Sequence, residues 1–168
     1  NDIDNFINFT KKNNLILILD AAHMAGSKYI SHFDGKESLN HVGIESDAAI
    51  FSFQSVKNLP TADSGLISFK NKYYDSKVRE WSWLGINKDT YKRTEQKGSY
   101  KWDYDVVNLG SKGNGNSVMA SMAKVGLKYL DDDNAYRRKL AGKYIEILKN
   151  NNKIDIIHHV NSNNTSQH

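Results

Sequence analysis

Cysteine is absent from this chain, proline occurs once, and no apolar run is long. Without cysteine there can be no disulfide framework, no thiolate metal site and no cysteine nucleophile. Nothing approaches the ~20 consecutive apolar residues of a membrane-spanning helix, so no membrane partner is expected. A dominant charge is missing too: 23 Lys+Arg stand against 19 Asp+Glu, a formal net charge of +4. The sequence pI near 9.1 comes without a basic stripe interleaved with aromatics, so nucleic acid is not an expected partner. What remains is 168 residues, 39% of them hydrophobic, enough for one globular unit with a core. The opening Asn1-Asp2-Ile3-Asp4 has neither an initiator Met nor a charged-then-apolar leader. It reads as the interior of a longer, cytoplasmic chain.

The pattern of residues predicts alternating helices and strands. Ile3, Phe6, Ile7 and Phe9 fall near helical spacing, and Lys11-Lys12-Asn13-Asn14 ends that helix. The unbroken run Leu15-Ile16-Leu17-Ile18-Leu19 reads as a fully buried parallel strand. Turn signals at Asp34-Gly35 and His41-Val42-Gly43 predict a small hairpin or loop over 29–45. Ala48–Phe53 and Gly65–Phe69 are two further strands, the second nearer an edge. Tyr73 to Trp83 is a helix broken by Leu84-Gly85-Ile86, and Asn87 to Tyr104 is a long loop. Val118, Met122, Val125 and Tyr129 mark a helix with a broad apolar face. Asp133-Asn134 is placed to cap another, with Tyr136, Leu140, Tyr144 and Leu148 inward and Asn150-Asn151-Asn152 at its end. A short Ile154–Ile157 strand and an Asn/Ser-rich tail close the chain. Such alternation predicts an α/β fold with a mixed, mostly parallel sheet and helices on both faces.

In open parallel sheets, ligands bind beyond the carboxyl ends of the strands. Asp20 falls there, directly after the apolar run. A carboxylate so placed is either a helix N-cap for Ala21-Ala22 or a group that pairs with a ligand. Small residues at 21, 22, 25 and 26 leave room for something flat to approach the backbone. Ser52 ends the next strand, and Lys57 follows five residues later. A loop lysine is usually solvated. One that forms a Schiff base needs a fixed position and a partly dry setting. Ser52 and Asp20 at neighbouring strand ends favour that second reading.

Three blocks carry a more specific signal: Asp20-Ala21-Ala22-His23-Met24-Ala25-Gly26, then Phe51 to Leu59 with Asp63-Ser64-Gly65, then Gly110 to Ser121 running into Leu127–Asp131. Their order and spacing over residues 1 to about 150 resemble the sugar aminotransferases of the DegT/DnrJ/EryC1/StrS family, fold-type-I enzymes that depend on pyridoxal 5′-phosphate (PLP). The resemblance implies that residues 1–130 are the central part of the PLP-binding large domain. Residues 131–168 would be a linking helix and the truncated start of a C-terminal small domain, with Ser166-Gln167-His168 opening its first strand.

The same resemblance implies the site. Lys57 would be the catalytic Schiff-base lysine. Asp20 would pair with the pyridinium nitrogen, and Ser52 would hydrogen-bond the cofactor phosphate. His23 stands where many members have Gln beside the phenolic oxygen. Asn114 matches a position that reaches the phosphate of the partner subunit's cofactor, which implies a homodimer at full length. Lys112 and Asn114 replace the commoner Asn and Arg of that segment, and Ser64 stands in place of a first Gly. The implied activity is transfer of an amino group, from glutamate as donor, to a keto group of a nucleotide-linked sugar in polysaccharide biosynthesis. Members that carry His in place of the lysine are dehydratases, so the intact Lys57 favours transamination. A non-catalytic fragment and a PLP-dependent sugar dehydratase are the alternatives.

Other features have plainer readings. In Trp81-Ser82-Trp83-Leu84-Gly85-Ile86, Trp83 and Leu84 pack a helix end rather than the segment bordering a sugar–nucleotide pocket, and Tyr91 to Trp102 is a solvated loop rather than a diphosphate clamp. Asp131-Asp132-Asp133 serves a helix start rather than a metal. His158-His159 lacks ligand spacing, and Gly110 to Asn116 lacks the Gly-Lys-Ser/Thr ending of a triphosphate loop.

Overall fold

The computed structural model describes residues 3–32, 38–87 and 104–156. They divide into two compact units, Asn1–Lys70 with Ser117–His168, and Asn71–Asn116.

The larger unit opens with helix α1 (Ile3–Lys12), which carries Asp4 in its first turn and Lys11 and Lys12 in its last, as the helix dipole favours. Asn13 donates through both its backbone and its side-chain nitrogen to the Phe9 carbonyl, and Asn14 turns the chain at φ 52°. Strand β1 (Ile18–Asp20) pairs in parallel with β4 (Ala48–Ser52), and β4 pairs antiparallel with β5 (Gly65–Phe69). The sheet is thus mixed, in the order β1-β4-β5. Between β1 and β4 the chain forms an antiparallel hairpin of β2 (Lys28–Ser31) and β3 (Ser38–His41). The expected Asp34-Gly35 turn of that hairpin lies outside the described residues.

Partners across a sheet point to the same side. The register Asp20↔Ile50↔Ile67 therefore puts Ile18, Asp20, Ile50, Ser52 and Ile67 on one face, and Leu19, Ala49 and Phe51 on the other. The second face is the core face. Leu19 and Phe51 pack with Ile3 and Met24 on buried Ala21, Tyr29 and Val42. Asp4 stitches α1 to the hairpin, accepting from the Ser31 hydroxyl at 2.9 Å and the His32 backbone N–H at 2.8 Å. The run Leu15–Leu19 is not the fully buried strand its composition predicts: pairing begins at Ile18, which is 61% exposed. Only alternate residues of a strand face one layer, and Ile18 lies on the face where Ile50 and Ile67 are exposed as well, although its partner Ala48 is buried.

Helix α3 (Ser117–Gly126) and helix α4 (Leu130–Leu148) close this unit. The predicted cap at Asp133-Asn134 is incorrect. The helix begins at Leu130 behind Tyr129, which makes no side-chain cap bond, and Asn134 is buried within it. Asp131, Asp132 and Asp133 occupy the first turn as expected, and no metal-binding cluster occurs among the described residues. Tyr136, Leu140 and Tyr144 are exposed rather than inward, because α4 docks through its amino-terminal end. Residues 154–156 are not a strand, and the tail from 157 lies outside the described residues.

The smaller unit holds α2 (Lys72–Ser82), within a residue of its expected bounds. Asn71 caps it, its Oδ1 accepting from the Tyr73 N–H at 2.8 Å. Leu84 and Gly85, at φ 59° and 74°, reverse the chain after it. Lys112 sits over the Trp83 ring, 3.5 Å from its centroid, which supports the packing role for that tryptophan. Most of the predicted 87–104 loop, including Trp102, lies outside the described residues. Among the described residues, no helix is long and apolar enough to cross a membrane.

Candidate active site

Two loops leave the carboxyl ends of the parallel pair β1 and β4, and each carries one half of a close contact. The first follows Asp20. No helix opens there; residues 21–27 form two short turns, at 22–23 and 25–26. The Ala22 N–H donates to Asp20 Oδ1 at 3.1 Å, and Met24 N and Ser27 N donate to the carbonyls of Ala21 and Met24. His23 projects from this turn, exposed. The small residues around it answer to packing: Ala21 and Ala25 are buried, and a Cβ on Gly26 would lie 2.8 Å from Asn134 Nδ2.

The second loop runs from Phe53 to Ser64 and is laced shut by its own backbone. Phe53 N bonds to the Ser64 carbonyl, Ser55 N to that of Ala62, and Thr61 N to that of Phe53, each at 2.8 Å. The buried Thr61 hydroxyl meets the Phe53 carbonyl at 3.0 Å and Ser64 Oγ at 2.6 Å. At the far end, Lys57 N bonds to the Gln54 carbonyl at 2.9 Å. Asn58 and Leu59, directly after the lysine, are buried.

The two loops meet at Lys57 Nζ and His23 Nε2, 2.7 Å apart. One of these nitrogens must accept: either a neutral imidazole accepts a hydrogen bond from the ammonium, or a neutral amine accepts one from the imidazole N–H. Both arrangements fix the lysine nitrogen in place. Asp20 and Ser52 lie at adjacent strand ends on one sheet face. Asp20 Oδ1 carries the Ala22 bond, while Oδ2 has no partner among the described residues. Ser52 Oγ accepts a long bond, 3.4 Å, from Gln54 N. Its hydroxyl proton is free to be donated elsewhere. Asn114 belongs to the smaller unit, where its N–H donates to the Ser82 carbonyl at 3.1 Å and its side chain to the Gly115 carbonyl at 3.3 Å.

These groups fit PLP as a cofactor. An amine is held for a carbonyl carbon, a carboxylate oxygen is open to a protonated ring nitrogen, and a hydroxyl is open to a phosphate. Residues that sequence reasoning missed are Asn58, Thr61 and Asn134, all buried polar groups. A buried asparagine breaks the apolar pattern without marking itself, and adjacency to Lys57 was the one available signal.

The sequence model of the DegT/DnrJ/EryC1/StrS aminotransferase family matches residues 1–168. The chain is 31% identical over 143 residues to the spore coat polysaccharide biosynthesis protein SpsC of Bacillus subtilis, a match covering 85% of this chain and 34% of that one. It is 29% identical over 149 residues to the uncharacterized protein MJ1066 of Methanocaldococcus jannaschii, covering 89% and 36%. Among solved structures, the aminotransferase TlmJ of Streptoalloteichus hindustanus superposes with a TM-score of 0.80 at 22% identity, over 99% of this chain and 40% of that one. Spr1654 of Streptococcus pneumoniae, described as a proposed sugar aminotransferase and solved in a PMP form, gives 0.75 at 25% identity, over 95% and 39%. The chain therefore spans only 34% and 36% of the lengths of SpsC and MJ1066. With the match running from Asn1 to His168, and with the α/β fold of the fold-type-I enzymes, the chain belongs to the DegT/DnrJ/EryC1/StrS aminotransferase family.

Proposed function

We propose that the full-length protein is a PLP-dependent aminotransferase of the cytoplasm that moves an amino group, from glutamate as donor, onto a keto group of a nucleotide-linked sugar. The observation that carries this reading is the 2.7 Å contact of Lys57 Nζ with His23 Nε2, set beyond the same strand ends as Asp20 and Ser52. When bound, the cofactor supplies an electron sink for bond breaking at the substrate carbon.

The residues of the chain do the rest. Lys57 Nζ is the amine that would hold the cofactor, and as a free amine it would accept and return the substrate proton. Asp20 Oδ2 holds a proton on the ring nitrogen by opposing its charge. His23 orients Lys57 and donates toward the phenolic oxygen. Ser52 donates to the phosphate. Asn114 is assigned to the phosphate in the partner subunit of a homodimer. Residues 1–130 are assigned to the central part of the large domain, and residues 131–168 to the linking helix and the start of the small domain. The docking of Asn134 against Ala25 ties the first turns of that helix to the large domain.

Borohydride reduction of the PLP-loaded full-length protein, followed by peptide mapping, is expected to label Lys57. Label on another residue overturns the assignment. Product analysis separates the dehydratase alternative, which removes a hydroxyl without adding nitrogen.

A further inference from the structure

We propose that Asn134 and Asn58 form a buried amide clamp that sets the position of Lys57 against His23, so that a residue of α4 governs the reacting amine without touching it. This inference rests on the assignment of Lys57 under Proposed function.

The clamp has one acceptor at its centre. Asn58 Nδ2 donates to the Ala25 carbonyl at 2.5 Å and Asn134 Nδ2 to the same carbonyl at 3.1 Å. Asn58 Nδ2 also donates to Asn134 Oδ1 at 3.2 Å. Asn134 is 2% exposed and Asn58 6%. Water therefore does not readily substitute for a lost partner: removing Asn58 leaves Asn134 Oδ1 without its donor, and removing Asn134 leaves Asn58 with the Ala25 bond alone.

The places this clamp joins are what give it consequence. Ala25 lies two residues after His23 and Asn58 is the residue after Lys57, so the bonds grip both loops beside the Lys57–His23 contact. Asn134 comes from a helix more than a hundred residues downstream of Ala25. The surroundings are shaped to admit it. Gly26, at φ 74°, has no Cβ to strike Asn134 Nδ2, and Ala25, Leu59 and Leu130 form an apolar cluster beside the amides. Gly126 at the end of α3 likewise leaves room for Leu59 Cδ1, which a Cβ would meet at 2.8 Å. A helix that only needed to dock would be served by that cluster. A buried amide pair adds directional bonds, and directional bonds fix angles as well as contact.

The test compares the parent full-length protein, loaded with PLP, with Asn134→Ala, Asn134→Ser and Asn58→Ser. A misplaced amine loses rate more than binding. Expected is a fall in kcat of about tenfold or more with the donor KM within about twofold, since displacements of the order of 1 Å in reacting groups cost up to about a hundredfold. The visible circular dichroism of the bound cofactor, which reports its orientation, is expected to fall in step. The Asn58→Ser/Asn134→Ala double variant is expected to be no slower than the worse single one, as for groups that act as a unit. Melting temperatures that drop while kcat and the visible dichroism match the parent make the clamp a stability device alone and overturn the proposal. If Asn134→Ala does not accumulate as folded protein, Asn134→Ser and Asn58→Ser are read by the same criteria. A parent that takes no borohydride label at Lys57 defeats the functional assignment instead. A parent that labels, with variants that behave like it, defeats only the clamp.

Discussion

Lys57 and His23 come from loops 34 positions apart, yet their nitrogens lie 2.7 Å from each other. That contact makes His23 a support for the lysine, and its value is testable. His23→Gln keeps a side chain able to bond the amine, and activity of the full-length enzyme is expected to stay within about fivefold of the parent. His23→Leu removes the bond and is expected to lower kcat by about tenfold or more, in line with bonds to charged groups of about 1.5–3 kcal/mol. Equal rates for the two variants would remove His23 from the site. Tyr29 offers a different measurement. Burial raises its phenol above the ordinary 10.0, with the Glu45 and Asp4 carboxylates adding to the effect. A raised pKa favours the neutral phenol in the folded state. The stability it contributes is therefore complete below the unfolded value and lost as pH rises through the folded one. Denaturant unfolding from about pH 9 to about pH 11, around the phenol range, is expected to show an alkaline decline that Tyr29→Phe reduces. An undiminished decline in Tyr29→Phe would assign it to other groups.

Strands and helices were readable where local chemistry dominates. Helix α2 has an asparagine cap, which went unread, and a glycine reversal, which the sequence shows. Gly85 shows how strict the second signal is. It sits at φ 74°, and a Cβ there would overlap the Asn108 backbone carbonyl. Gly85→Ala is expected to destabilise the Asn71–Asn116 unit by at least about 2 kcal/mol, combining left-handed strain with overpacking. A shift in the urea midpoint measures it, and an unchanged midpoint would show that the turn relaxes. Helix α4 was misread because its spacing of Tyr136, Leu140 and Tyr144 suggested an inward stripe. The helix is instead anchored at one end, through Leu130 and Asn134. A polar residue buried by tertiary contact leaves no periodic trace.

Over the whole chain, apolar residues stay uncovered on one sheet face, at Ile18, Ile50 and Ile67, and along α3, at Val118, Met122 and Val125. Contiguous exposure of this kind marks surfaces that pack against further protein. Produced as these 168 residues alone, the chain is expected to bind a hydrophobic dye and to elute above its 19.1 kDa mass. The full-length protein is expected to do neither to the same degree per site. A dye-silent 19.1 kDa monomer would mean that these surfaces rearrange when left uncovered.

The order of residues alone settled the alternation of helices and strands, and it placed an acid and a hydroxyl at strand ends with a lysine shortly after. Those features follow from short-range sterics, hydrogen bonding and apolar spacing, all of which act within a few residues. Folding in three dimensions decided which distant groups meet: His23 with Lys57, and Asn134 with Asn58 and the Ala25 carbonyl. It also decided which side of β1 is buried. Both depend on packing between segments tens of residues apart, where the energy of a contact is set by its partner and not by its neighbours in the chain.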